Sequence, residues 1–231
     1  MNHKTLNLKI LALVILVFQA HGSNDHNQSK IPPIEKIGDF KFRFGGVLID
    51  QKKRTVEFNA TSNQINGLIE YALVHESGKT HESLFRTKVR PQIIHTCFLL
   101  LKHPMESRFF ENLWAEKPKD LNFDKCRIKT EVIWEVNGTT ISKSFEQLSV
   151  NTKNNISLEN GAFIFTGSKE IEGTYLADMS GSIVAIYADE EAVINSSDHD
   201  SNNDDVWIAN GKDMPELELP VIVRFLLPRR D

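Results

Sequence analysis

Residues 68–101, LIEYALVHESGKTHESLFRTKVRPQIIHTCFLLL, decide the fold. Leu68 to His75 is strand-like, and Ser77-Gly78 marks a turn, glycine being tolerant of positive φ. Thr80 to Thr87 returns as a second strand, so the expectation is a hairpin. Pro91 then opens a helix at the position where a missing N–H costs nothing. On a helical wheel Ile93, Ile94, Cys97, Phe98, Leu100 and Leu101 cover one arc, with His95, Leu99 and Lys102 opposite. Pro104 should stop it. Packed on the hairpin's apolar face, this helix closes a β-β-α unit.

Outward from that stretch, strand signals dominate. Phe40, Phe42 and Phe44 alternate with Lys41 and Arg43, and Val47–Ile49 and Thr55–Phe58 flank the charged turn 50–53. Phe109, Phe110, Leu113 and Trp114 suggest a short amphipathic helix. Arg127–Val136 alternates around Trp134 and ends at the hairpin turn Asn137-Gly138. Ala162–Thr166, Thr174–Ala177 and Ile183–Tyr187 read as strands, Glu190–Asn195 as a helical turn, and 198–205 as an acidic loop. Pro220 introduces Val221–Leu227, nearly all apolar and therefore interior to a sheet. The class is α+β, mainly antiparallel β-sheet, with one principal helix packed on the sheet.

Lys4 and Lys9, the unbroken apolar run Ile10–Phe18 and the small-x-small Ala20-His21-Gly22 have the order of a cleaved secretory signal. An uncleaved anchor is the alternative, although nine apolar residues fall well short of the roughly 20 a spanning helix needs. The organisation is then 1–22 signal peptide, 23–39 polar flexible lead-in and 40–228 one domain, secreted or periplasmic. No membrane span is expected after cleavage.

Composition narrows the function. Of 231 residues 27 are basic and 31 acidic, and the pI is near 6.1, without a basic block, which argues against nucleic acid as partner. Two cysteines, Cys97 and Cys126, could pair in an oxidising compartment, but Cys97 sits in an apolar run where a buried thiol is the plainer reading. Two thiols cannot hold an iron–sulfur cluster. Phosphate loops, H-E-x-x-H and a G-x-S-x-G elbow are lacking. Asn59, Asn137 and Asn155 head Asn-x-Ser/Thr sequons, which matter only in a eukaryotic secretory protein.

Gly67-Leu68-Ile69-Glu70-Tyr71, Gly78–Leu84, Arg90-Pro91 and Ile94-His95 together resemble the bacterial YdjY-domain family. The likeness returns at Phe165–Ser168, Ala177-Asp178, Ser180–Ser182, Ile194-Asn195 and the acidic loop before Trp207. It runs from about Phe40 to Pro228, and 105–125 departs from it by being longer and more aromatic. The resemblance implies an envelope or secreted bacterial protein, with no agreed activity to carry over.

Two places could carry chemistry. Asp198, Asp200, Asn202 and Asp204 repeat the D-x-D-x-N opening of a calcium loop, oxygen donors on one turn suiting a hard cation. Asn203 stands where glycine is usual and Ala209 where a bidentate glutamate is, so a solvated acidic loop is the competing reading. In the first stretch His75, Glu76, His81, Glu82, Ser83 and His95 could assemble a zinc site or a nucleophile with its base; alternatively they cap the turn. The leading functional expectation is a non-catalytic secreted or periplasmic binding or accessory domain, with an unidentified envelope protein or ligand as partner. A metal-dependent hydrolase or other envelope enzyme using His81, Glu82, Ser83 and His95 is the alternative. No cofactor is required, calcium being the candidate for the acidic loop.

Overall fold

The computed structural model describes residues 32–229. The segment read as a signal peptide, 1–22, lies outside them. Among the described residues the chain forms seventeen short strands and three helices, an α+β fold in which antiparallel pairing predominates, as expected. In order these are β1 (Ile34–Gly38), β2 (Lys41–Phe44), β3 (Val47–Asp50), β4 (Thr55–Ser62), β5 (Tyr71–His75), β6 (Ser83–Thr87), α1 (Pro91–Leu100) and α2 (Phe109–Leu113). There follow β7 (Lys129–Val136), β8 (Thr139–Lys143), β9 (Ser149–Asn151), β10 (Ile156–Ser157), β11 (Phe163–Phe165), β12 (Glu170–Ile171) and β13 (Thr174–Tyr175). The last are α3 (Leu176–Ser180), β14 (Ser182–Ala185), β15 (Ile194–Ser196), β16 (Trp207–Ala209) and β17 (Pro220–Leu226).

The large sheet forks at β4. One edge of β4 pairs with β17 along its length; the other gives its first residues to β3 and its last two to β6. From β6 the sheet continues through β5, β14, β15 and β11, and beyond β17 lie β7 and β8. As its composition implied, β17 is interior, with a strand on each side. Val221, Val223 and Phe225 turn into the core while Ile222 and Arg224 face outward, the alternation of a sheet with one solvated face. On that outer face Arg224 donates to both Glu57 and Glu131, 2.7 and 2.9 Å away.

The central stretch departs from its expectation in one respect. β5 and β6 pair in parallel, Tyr71 beside Ser83 and His75 beside Thr87, so they are not a hairpin. The bend at Ser77-Gly78 does occur, but residues 76–82 then walk back along β5 through a 3₁₀ turn at Thr80–Glu82 before β6 begins. The Glu70 amide on the Glu82 carbonyl, 2.9 Å, fixes where this return ends. Both faces of β5 are consequently covered, Leu73 in the main core and Tyr71 and Val74 in a smaller one with Ala185 and Ala192. Three smaller differences follow. Residues 34–38 of the expected lead-in form β1 against β2. The stretch 174–177 is strand only at its start, passing into α3. The expected helical turn at 190–195 is instead a turn closing on Asp189 and the strand β15.

α1 begins at Pro91 and buries Ile93, Ile94, Cys97, Phe98 and Leu101. Its N-terminus has no cap within its own segment. Asp178 of α3 supplies one, accepting from the Gln92 amide at 2.8 Å while pairing with Arg90. Phe98 meets the rings of Phe165 and Phe225 at 5.1 and 5.6 Å, tying α1 to β11 and β17. Cys97 and Cys126 are both buried free thiols, and burial pushes both thiol pKa values up.

Candidate functional site

The side chains singled out on 75–95 are dispersed. Ser83 is fully buried and its hydroxyl donates to the Phe85 carbonyl, 2.8 Å away. His81 lies on the 3₁₀ turn with its side chain 78% exposed, 3.6 Å from Glu82. His75 Nδ1 receives the Ser77 amide and meets its hydroxyl at 2.7 Å, closing the bend. His95 leaves the group altogether. It is half-buried under 163–175, with Nδ1 2.6 Å from the Tyr175 hydroxyl, which in turn donates to the Gly167 carbonyl. Burial lowers its pKa to about 4, the Gly167 carbonyl partly opposing. The wheel set His95 opposite the apolar arc because a wheel assumes one packed face, whereas α1 is covered on two.

The 198–205 loop is partly assembled. Asp198, 3% exposed, accepts from the amides of Asp200 and Glu159 at 3.1 Å each. His199 lies between two carboxylates, Nδ1 3.0 Å from Asp198 and Nε2 3.3 Å from Asp200. Asp200 also accepts from Asn151 and stands 3.7 Å from Lys153. Asn202 and Asp204 are exposed, and the Asp204 charge acts on Glu70. The donors that converge are Glu159, Asp198 and His199, whose ligand atoms lie within 4.8 Å of one another; they are the one such group among the described residues. Glu159 carried no signal in the sequence. It lies 39 positions from Asp198, and only the packing of the 158–162 turn on the loop joins them.

A second polar cluster was not foreseen. The Tyr71 hydroxyl donates to Asp189 at 2.8 Å and receives Lys79 Nζ at 2.5 Å, with Nζ also 4.8 Å from the ring centre. Burial and the Asp189 charge raise the Tyr71 pKa, so it stays a neutral phenol. Asn195 sets this up from beneath: its amide oxygen accepts from the Asp189 amide and its nitrogen donates to the Asp189 carbonyl. Beside it Glu70 is held above the usual carboxylate range by burial and by Glu82, with Lys79 opposing. A tyrosine in an apolar strand reads as core, and so the cluster carries no signal in the sequence.

No protein-family model matches the chain, and no match is found among curated proteins or solved structures.

Proposed function

We propose that the chain is a non-catalytic binding or accessory domain of the bacterial envelope or secreted space. One observation carries this reading: the nucleophile and the other histidines on 75–95 are engaged separately, Ser83 by Phe85, His75 by Ser77 and His95 by Tyr175, while exposed His81 lies beside Glu82, away from Ser83's buried hydroxyl. A hydrolase would need nucleophile, base and orienting group within hydrogen-bond reach of one another. The signal-like residues 1–22 support export. The outer face around Leu48, Glu57, Ile222 and Arg224 is the surface this reading offers to a partner.

The test is twofold. The mature protein, tried on ester, phosphoester and peptide substrates, should show no turnover that Ser83→Ala or His81→Ala removes. Turnover lost in either variant with the fold intact overturns the reading in favour of the hydrolase. Leu48→Asp with Ile222→Asp should in parallel abolish retention of an envelope component without lowering the melting temperature.

A second reading is favoured by the convergence of Glu159, Asp198 and His199. Two oxygens and an imidazole nitrogen suit zinc or manganese better than calcium, which prefers oxygen alone. Calcium would rest instead on Asp198, Asp200, Asn202 and Asp204. Melting with each ion against chelator separates the two.

A further inference from the structure

The 168–175 segment is a small device attached to the main fold. Among the described residues β12 and β13 pair only with each other, forming a two-stranded sheet of their own, and Glu170–Thr174 are exposed, Ile171 to 54%. Two strands of two residues cannot hold themselves together in water. The hairpin therefore depends on its root. There the chain turns at Gly167 and Ser168, φ +90° and +62°, and a side chain at 167 would collide with Met105. The root is tied by Leu176 N to the Lys169 carbonyl, Ala177 N to Ser168 Oγ, and the Tyr175 hydroxyl to the Gly167 carbonyl. Further out lies the exposed Lys169–Glu190 pair.

His95 reaches this root from α1. Its Nδ1 contacts the Tyr175 hydroxyl, and its ring meets Phe165 edge-on at 5.2 Å and Tyr175 at 5.3 Å. The charged and titratable groups around it are Tyr175 on β13, Asp178 on α3, whose charge acts on Tyr175, and Arg90 at the start of α1, paired with Asp178. β11 contributes the Phe165 ring, and the hairpin root the Gly167 carbonyl.

We infer that the 168–175 hairpin is an acid-released latch, with His95 as the proton acceptor that opens it. A proton on His95 places a charge among aromatic rings, and burial resists this, lowering the pKa to about 4. The charge gains water most cheaply by lifting the hairpin, because Phe165, which meets its ring from another side, belongs to the central core. Opening uncovers Tyr175 and the His95 side of α1, a surface presented only in acid. His95 in the open hairpin regains its ordinary value near 6.5, so between pH 6.5 and 4 the open population rises about tenfold per pH unit.

Amide hydrogen exchange of the intact mature protein between pH 7 and 4.5, as protection factors, tests this. Protection over 168–176 should fall about tenfold per pH unit below 6.5 while β4 and β17 hold theirs. His95→Gln should flatten that dependence, and Tyr175→Phe should leave the hairpin weakly protected at every pH. Hairpin protection that ignores pH, that falls only in step with β4 and β17, or that keeps its slope in a folded His95→Gln protein overturns the latch. Should His95→Gln not fold, the wild-type imidazole resonances decide: titration in step with the hairpin amides supports it, and titration without change in those amides overturns it.

Discussion

Gly78 and Gly181 touch backbone to backbone. A Cβ on Gly78 would lie 2.7 Å from the Ser180 carbonyl oxygen and 3.0 Å from the Gly181 Cα; one on Gly181 would lie 2.7 Å from the Gly78 Cα. The contact seats the bend after β5 on the turn between α3 and β14, and His75 N on the Gly181 carbonyl, 2.8 Å, fastens it. Gly181 additionally has φ +75°. Either residue changed to alanine should cost about 1–3 kcal/mol, Gly181 the more because strain adds to the clash. Gly173 is the control, with φ +76° and nothing nearby. Its alanine variant should lose only the conformational part, about 1 kcal/mol. Urea denaturation of the three variants checks the ranking, and equal losses would remove the close-approach argument.

Phe98 and His81 should separate structure from surface. Phe98 is fully buried against Phe165 and Phe225, so Phe98→Ala should cost about 3–5 kcal/mol. His81 is exposed and only 3.6 Å-paired, so His81→Ala should stay within about 0.5 kcal/mol. Comparable unfolding midpoints for the two variants would contradict the placement of His81.

Glu70 should be a small liability near neutrality. Its pKa is raised in the folded protein by burial and by Glu82, then Asp204 and Asp189, with Lys79 opposing. Folding thus favours the protonated form. Stability is greatest below the ordinary carboxylate value of 4.5 and declines as pH rises through the raised one. Because the side chain is only partly buried, screening keeps the effect small. Glu70→Gln should raise the melting temperature slightly at pH 7 and lose that advantage by pH 4. A variant less stable than the parent at pH 7 would show that the carboxylate is held by a favourable partner.

What the sequence could reveal was local. Pro91 and the apolar arc marked α1, and Asn137-Gly138, with φ +51° and +77°, marked the turn between β7 and β8. Both are written in adjacent residues. The pairing of β5 and β6 is not, because Ser77-Gly78 shows where the chain bends and leaves open which way the next strand runs. Ala192-Val193-Ile194 suits a helical turn or a buried strand equally, and the neighbour β14 decides it. The candidate site divides in the same way: Asp198 stands out in the loop, whereas His199 falls between the oxygen positions of the calcium pattern and Glu159 becomes a neighbour only through the fold.

The donor set makes the cation question decidable. If Glu159, Asp198 and His199 hold an ion, zinc or manganese in excess should raise the melting temperature, since a ligand bound only by the folded state stabilises it by about 2.7 kcal/mol at 100 times its Kd. His199→Ala should abolish that rise, because it removes the one nitrogen donor. Asp204→Asn should not affect it, being outside the converging group. Calcium seated on Asp198, Asp200, Asn202 and Asp204 would give the reverse pattern, with a rise that survives His199→Ala and shrinks in Asp204→Asn. His199 itself bridges Asp198 and Asp200 in the structure, Nδ1 to one and Nε2 to the other. Melting curves that coincide with every ion and with chelator would leave that bridge as the sole occupant, and the loop as a structural clasp onto Asn151 and Lys153.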